Sequence, residues 1–504
     1  VSLIELTIVG LIIILGGIYA YIKWEERQIA KTEERVEAQK QAEAMREKLK
    51  NTLFLGTKAS SVIKRQAYKS GYPLTPSTEP RGWLFIGEQG SGKTNAILSL
   101  IEKIQTRPSP CMRVFYDTKP DFYPRYLGEN DAYVFGLGVE GSAVFQIFSE
   151  MHNEKDVDFI VNALVVDESD TSSANSEHFK EQTKLLLKAA LLTILESHEN
   201  PTNIELIDFL LEFDDATKFK DEIEKRGTAR SYGISIASVL GGGKSDPQSA
   251  SAWANFNKYA TRLKRREFYT REGTSPTAII KQFESKYRPQ EEKLDIFLLN
   301  PATDQDSFSP WIRMFMGCLS RAIRSLENNQ ERRIWIVCDE FQTLGRFPEL
   351  AEELPAQGRS KGACVLLSTQ NLSKLQAVYG RDLTNAILSG AATKIFFRMG
   401  DPFSLGVAEN IFGESIKHEP HTTISGDRTS FSVQQRTVKN ISATSLSSLS
   451  VGEACVKIDN DIVLVWFGEV KTPEKHSIKR TQAPRFNQNT TAGELEEAKT
   501  EVYF

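Results

Sequence analysis

Short, unbroken apolar runs recur through the middle of the chain, each ending in polar or glycine-bearing sequence. They are Trp83-Leu84-Phe85-Ile86, Val114-Phe115-Tyr116 in the strand-like segment Met112-Arg113-Val114-Phe115-Tyr116-Asp117, Tyr133-Val134-Phe135, the run from Ile296 to Leu299, Ile334-Trp335-Ile336-Val337-Cys338, Cys364-Val365-Leu366-Leu367 and Ile395-Phe396-Phe397. Runs this short, with no polar position on either side of the pleat, predict strands of a sheet covered on both faces. Between them the spacing changes: Ala96, Ile97, Leu100, Ile101 and Ile104 recur every three or four residues and predict an amphipathic helix. Strands alternating with such helices predict an α/β domain. Over residues 154–257 strand patterns give way to helical ones, with Phe179, Thr183, Leu186, Leu187, Ala190, Leu191, Ile194 and Leu195 on one stripe. An all-α domain inserted into the α/β fold is expected there.

Both ends of the chain differ from this middle. Residues 3–22 are apolar except for Glu5 and Thr7, and about twenty residues at 1.5 Å each span the ~30 Å of a bilayer core. A transmembrane helix is expected within residues 1–23. Lys23, Arg27 and Lys31 follow it and no basic residue precedes it, which places the rest of the chain in the cytoplasm. No basic stretch precedes the run and no small-residue cleavage site follows it, which argues against a cleaved signal peptide. The opening Ser2-Leu3-Ile4-Glu5-Leu6 resembles a mature type IV pilin, but the rest of the chain is foreign to pilins. Val1 in place of Met leaves open an alternative start codon or missing preceding residues, including a further transmembrane helix. Residues 24–70 are assigned to a charged helical stalk and linker, 71–153 to the first part of the α/β domain, 258–475 to its second part, and 476–504 to a polar tail.

The chemistry is concentrated at strand ends. Gly87-Glu88-Gln89-Gly90-Ser91-Gly92-Lys93-Thr94 fits the phosphate-loop pattern G-x-x-x-x-G-K-[ST] and lies between the first strand and the first helix, the context that the pattern requires. Its backbone N–H groups would cradle phosphates, Lys93 would reach the terminal ones, and Thr94 would hold Mg²⁺. Two runs could supply the second acidic element, Val165-Val166-Asp167-Glu168 and Ile336-Val337-Cys338-Asp339-Glu340. The pattern Asp156, Val157, Phe159, Ile160, Ala163, Leu164 makes the first of these the end of a helix, so the second is favoured. Asp339 would complete the Mg²⁺ shell, Glu340 would orient or deprotonate water, and Gln370, ending the next strand, would sense the γ-phosphate. Phosphate loop, acidic strand and strand ending in Gln follow the order of a RecA-like ATPase motor. Arg359 and Arg398 are candidate trans-acting fingers.

Composition narrows the partners. The 504 residues carry a net charge of -4, so nucleic-acid contact has to come from a local basic surface or a ring of subunits. Residues 258–271 offer one: Arg262, Lys264, Arg265 and Arg266 for phosphates, with Tyr259, Phe268 and Tyr269 for base stacking; a solvated domain connection is the competing reading. The five cysteines show no metal or redox spacing. His418 and His421, in an expected polar loop, have no Cys or carboxylate partners at ligand spacing, so no structural zinc is expected.

The acidic strand and the segments C-terminal to it, Leu344-Gly345-Arg346-Phe347-Pro348-Glu349-Leu350, Gly358-Arg359-Ser360-Lys361-Gly362 and Gln370-Asn371-Leu372-Ser373-Lys374-Leu375, with Phe396-Phe397-Arg398 and Asp401-Pro402, resemble the TraD/TrwB coupling proteins of conjugation, in the TraG/TraD superfamily. The resemblance runs from the phosphate loop to about residue 470. It implies a membrane-anchored, DNA-translocating ATPase using ATP and Mg²⁺, a hexameric ring with an all-helical insertion in each motor. It also implies single- and double-stranded DNA, a relaxase complex, type IV secretion channel proteins and the bacterial inner membrane as partners. The family's first transmembrane helix has no counterpart in this sequence. The competing functions are a DNA motor of the FtsK/HerA kind, a secretion ATPase that energises pilus assembly, and a docking receptor whose oligomeric state is set by nucleotide.

Overall fold

The computed structural model describes residues 23, 52–165, 174–241, 246–425 and 428–479. The expected transmembrane helix, all but the first residues of the tail, and residues 24–51 of the stalk lie outside them. Among the described residues no helix is long and apolar enough to cross a membrane.

Fifteen strands are described: β1 (Leu53–Leu55), β2 (Lys58–Ser61), β3 (Ala67–Tyr68), β4 (Tyr72–Leu74), β5 (Trp83–Ile86), β6 (Cys111–Asp117), β7 (Asp131–Gly136), β8 (Lys293–Leu299), β9 (Ile334–Cys338), β10 (Ala363–Thr369), β11 (Thr393–Phe396), β12 (Glu414–Ser425), β13 (Arg428–Lys439), β14 (Glu453–Ile458) and β15 (Asp461–Trp466). Eleven form one sheet in the order β3-β2-β15-β14-β11-β5-β10-β9-β6-β8-β7. From β11 to β7 all neighbours are parallel, and the β14, β15, β2 and β3 edge is antiparallel. The predicted α/β sheet is present, and its register levels the ends of three strands: Ile86 pairs with both Thr369 and Phe396.

Period-two alternation divides the core. Trp83, Phe85, Phe115, Phe297, Trp335 and Ile395 face one side, where the helix Lys93–Thr106 packs, while Leu84, Ile86, Val114, Ile296 and Ile336 face the other, against Gln305–Ser325. Both faces are covered, which is why these strands read as uninterrupted apolar runs.

Between Glu154 and Leu263 every described element is a helix: Glu154–Leu164, Ala174–Ser197, Asn203–Glu212, Ala216–Arg226, Thr228–Ser231, Ile236–Leu240 and Pro247–Leu263. Polar caps start several of them; Thr202 and Glu205 form a reciprocal capping box, and Asn153, Asp215 and Asp246 each accept from a first-turn N–H. The last helix runs past residue 257 because Phe256, Tyr259, Ala260 and Leu263 continue its buried stripe.

Three features depart from the expectations. Residues 53–68, assigned to the linker, form β1 to β3, and β2 extends the main sheet beyond β15. Leu53, Leu55 and Ala59 are buried in the core on the Lys93–Thr106 side, which stabilises strands too short to announce themselves by alternation. Residues 414–425 and 428–439 pair as two antiparallel strands instead of a polar loop, and His418 and His421 both lie on β12.

Candidate active site

The phosphate loop connects β5 to Lys93–Thr106. Gly92 precedes that helix at φ 102, where a side chain would be strained and a Cβ would stand 2.8 Å from the Gly452 nitrogen. Gly87 is equally constrained: a Cβ there would lie 2.6 Å from the Phe397 Cβ. No side chain caps the helix, so its first N–H groups are left for an anion. The buried Lys93 ammonium folds back on the loop, donating to the Gly87 carbonyl at 2.5 Å and the Glu88 carbonyl at 3.4 Å. Burial lowers its pKa, an effect opposed by the nearby Glu340 and Asp339 carboxylates.

The strand order β5-β10-β9 brings the acidic element alongside. Asp339 and Glu340, both buried, follow β9. Thr94 Oγ1 donates to Asp339 Oδ2 at 3.2 Å, across 245 positions of sequence. The other oxygen, Oδ1, is buried without a well-formed hydrogen bond among the described residues, while the Ser368 hydroxyl stands close enough to favour the charged form. Burial raises the Asp339 pKa, and Glu340 adds to the rise. A buried carboxylate oxygen with an open lone pair beside a threonine hydroxyl is a donor set that suits Mg²⁺.

Glu340 sits at φ 53, ψ 47, a left-handed conformation that a residue of this kind adopts at a cost. Its carboxylate is held from two sides, by Gln342 Nε2 at 2.6 Å and Gln370 Nε2 at 3.1 Å. Its carbonyl accepts from the Thr343 hydroxyl, which meets Tyr116 Oη at 2.8 Å, and that oxygen in turn accepts from Asn300 Nδ2 at 2.9 Å. Gln370 Oε1 accepts from Lys374 Nζ at 2.5 Å. Gln370 therefore ties Glu340 to the start of the helix Leu372–Gly390, which Asn371 caps.

Lys93, Thr94, Asp339, Glu340 and Gln370 thus meet at one point. Sequence reasoning missed Gln342 and two further cations, Lys374 and Lys119, both near enough to Lys93 to disfavour its charge. Lys374 had a readable signal, four residues after Gln370 on a helix. Lys119 had only its place in the loop after β6.

The remaining candidates lie elsewhere. Arg359 precedes β10 and so sits at the opposite end of the sheet from the phosphate loop, ~20 Å away at the usual strand rise. Arg398 donates through Nε to Glu88 Oε1 at 2.6 Å, within its own phosphate loop. The rival acidic residues Asp167 and Glu168 lie outside the described residues; the helix before them ends at Leu164, with Val165 as its cap. In the basic segment Arg262 is on the helix Pro247–Leu263, Lys264 caps it, and Arg265 and Arg266 enter the next turn. The stacking role expected for its aromatics does not hold for two of them. Tyr259 and Phe268 are buried, Phe268 against Trp311 with ring centroids 3.7 Å apart. Tyr269 is exposed and donates to Asp208.

Residues 67–464 match the model of the family described as the type IV secretion-system coupling protein DNA-binding domain. The coupling protein TraD of Escherichia coli K12 is 23% identical over 326 residues, 65% of this chain and 43% of TraD, so the chain spans under half the length of that relative. The structure of the bacterial conjugative coupling protein TrwBdeltaN70, unbound, superposes with a TM-score of 0.67 at 18% identity, covering 84% of this chain and 91% of that one. TrwB in complex with ADP and Mg²⁺ gives a TM-score of 0.64 at 18% identity over 84% of this chain and 96% of that one.

Proposed function

This chain belongs to the family of the type IV secretion-system coupling protein DNA-binding domain, and from that premise we propose that it is an ATP-driven DNA motor. In this reading it is anchored in the inner membrane by residues 1–23 and passes DNA held by a relaxase to a type IV secretion channel. The observation that carries the reading is the convergence of three strand ends: the phosphate loop after β5, Asp339 and Glu340 after β9, and Gln370 after β10, joined by the Thr94–Asp339 and Gln370–Glu340 hydrogen bonds.

ATP phosphates take the open N–H groups at the start of Lys93–Thr106, and Lys93 exchanges the Gly87 carbonyl for the terminal phosphates. Thr94 and Asp339 hold Mg²⁺, which when bound neutralises phosphate charge. Glu340, aimed by two glutamine amides, takes the proton of the attacking water. Gln370 reports the γ-phosphate to Leu372–Gly390 through Lys374. Arg359 is too far to serve its own site and acts, in this reading, on a neighbour's in a ring. Arg398, engaged by Glu88, holds the loop in place. The test is turnover: the full chain should hydrolyse ATP faster when single-stranded DNA is added. DNA binding with no change in hydrolysis would reduce nucleotide to an assembly signal and sink the motor.

A further inference from the structure

An apolar cavity of about 190 Å³ lies where the all-helical segment meets the sheet, beside the loop that follows β7. Its walls are mostly rings, those of Phe135, Phe145, Phe268, Phe308, Trp311 and Phe315. A dry cavity of about 150 Å³ takes up benzene, so this one has room for a further aromatic side chain. Wall atoms that face empty space forgo dispersion contacts, and an apolar occupant restores them. Among the described residues the one charged side chain on the lining is Glu267. Glu267 is exposed, and no hydrogen bond or ion pair of its carboxylate is found among the described residues.

The end of the described chain returns to this place. The Lys475 and His476 N–H groups donate to the Pro124 carbonyl at 2.8 and 3.1 Å, Ile478 packs against the core, and the Glu140 N–H donates to the Lys479 carbonyl at 2.9 Å. Glu140 lies between Val139 and Ser142, which both line the cavity. The chain is therefore tied down as far as the cavity's own loop, where the described residues end. Phe486 is the first aromatic residue beyond Lys479, within ~23 Å of extended chain. We propose that the tail docks in this cavity, with the Phe486 ring among the aromatic walls and Arg485 on Glu267. Reach, ring size and charge select this occupant. The pairing of signs continues along the tail: Arg265 and Arg266 stand beside Glu267, and beyond Phe486 come Glu494, Glu496 and Glu497. A docked tail brings these carboxylates to the basic segment, where they compete with DNA phosphates. That consequence, unlike the docking, rests on the DNA contact expected of those arginines.

The test places a photoreactive benzoylphenylalanine at position 486 of the full chain, with the same label at position 491 as control. Irradiation should join position 486 to peptides containing residues 135–145 or 308–315 of the same copy. Glu267→Lys should lower that yield about five-fold, the upper range for an exposed ion pair, and adding Arg485→Glu to this variant should restore it. Without the label, Phe486→Ala should bind a single-stranded oligonucleotide a few-fold more tightly than the unaltered chain. A cross-link to another part of the chain, one that joins two copies, or a yield no higher than the control's would overturn the docking. The expected cross-link with unchanged oligonucleotide affinity would keep the docking and move the DNA contact away from Arg265 and Arg266.

Discussion

Asp117 shows how burial and hydrogen bonding compete at one residue. It ends β6 and accepts three backbone N–H groups, from Asp121 at 2.8 Å, Phe122 at 2.9 Å and Tyr123 at 3.0 Å. Those bonds favour the carboxylate, yet full burial outweighs them and pushes its pKa from 3.8 up to about 6. The folded state therefore binds the proton more tightly than the unfolded state. The resulting stabilisation is complete below the unfolded value and is lost as pH rises through the folded one. Urea unfolding of wild type and Asp117→Asn at a series of pH values should show wild type losing on the order of 3 kcal/mol relative to the variant between pH ~4 and ~6, at 1.36 kcal/mol per unit, then no further change. A difference that is flat across that window would mean that Asp117 is ionised throughout. The residues of the candidate site were legible because each stands at a strand end in a known pattern. The chain Thr343, Tyr116 and Asn300 was not, because only the fold brings β6, β8 and β9 side by side.

Among elements, legibility followed length and burial. β6, β8, β9 and β10 are buried along nearly every position and announced themselves as apolar runs. β1 to β3 are two to four residues long, and the β12–β13 hairpin has exposed residues at both described ends, so neither carried a strong pattern. Aromatic residues among basic ones looked like a stacking surface, but Tyr259 and Phe268 complete the buried stripe and the packing against Trp311. One polar pair inside the sheet was invisible in sequence. Arg113 of β6 and Asp295 of β8 are register partners, fully buried, joined by two hydrogen bonds of 2.7 and 2.6 Å. Arg113→Ala should cost about 3–5 kcal/mol, because Asp295 is left as an uncompensated buried charge. Replacing both by apolar residues of similar volume should cost far less, and chemical denaturation of the single and double variants checks both. Equal losses would assign the cost to packing.

For the whole molecule, the proposed contact with DNA falls on the basic residues that follow the all-helical segment. The four residues Arg262, Lys264, Arg265 and Arg266, at the junction of the all-helical segment with the sheet, remain the expected DNA contacts through charge alone. Replacing all four by Ala should flatten the dependence of single-stranded DNA affinity on salt, lowering the log–log slope by about 0.7 for every phosphate that is no longer neutralised. Basal ATP turnover should be unchanged, and an unaltered salt slope would move the DNA path elsewhere.

The central claim is that one point in this fold binds and hydrolyses ATP. It is tested most directly by measuring nucleotide affinity and turnover on the full chain and on two variants. Lys93→Ala should lose affinity, because in this account its ammonium contacts phosphates in the ground state. Glu340→Gln should keep affinity and lose turnover by about a hundred-fold or more, the share of a positioned general base. Normal hydrolysis by Glu340→Gln would contradict the account, and its loss in Glu168→Gln would place the acidic residue on the other candidate run.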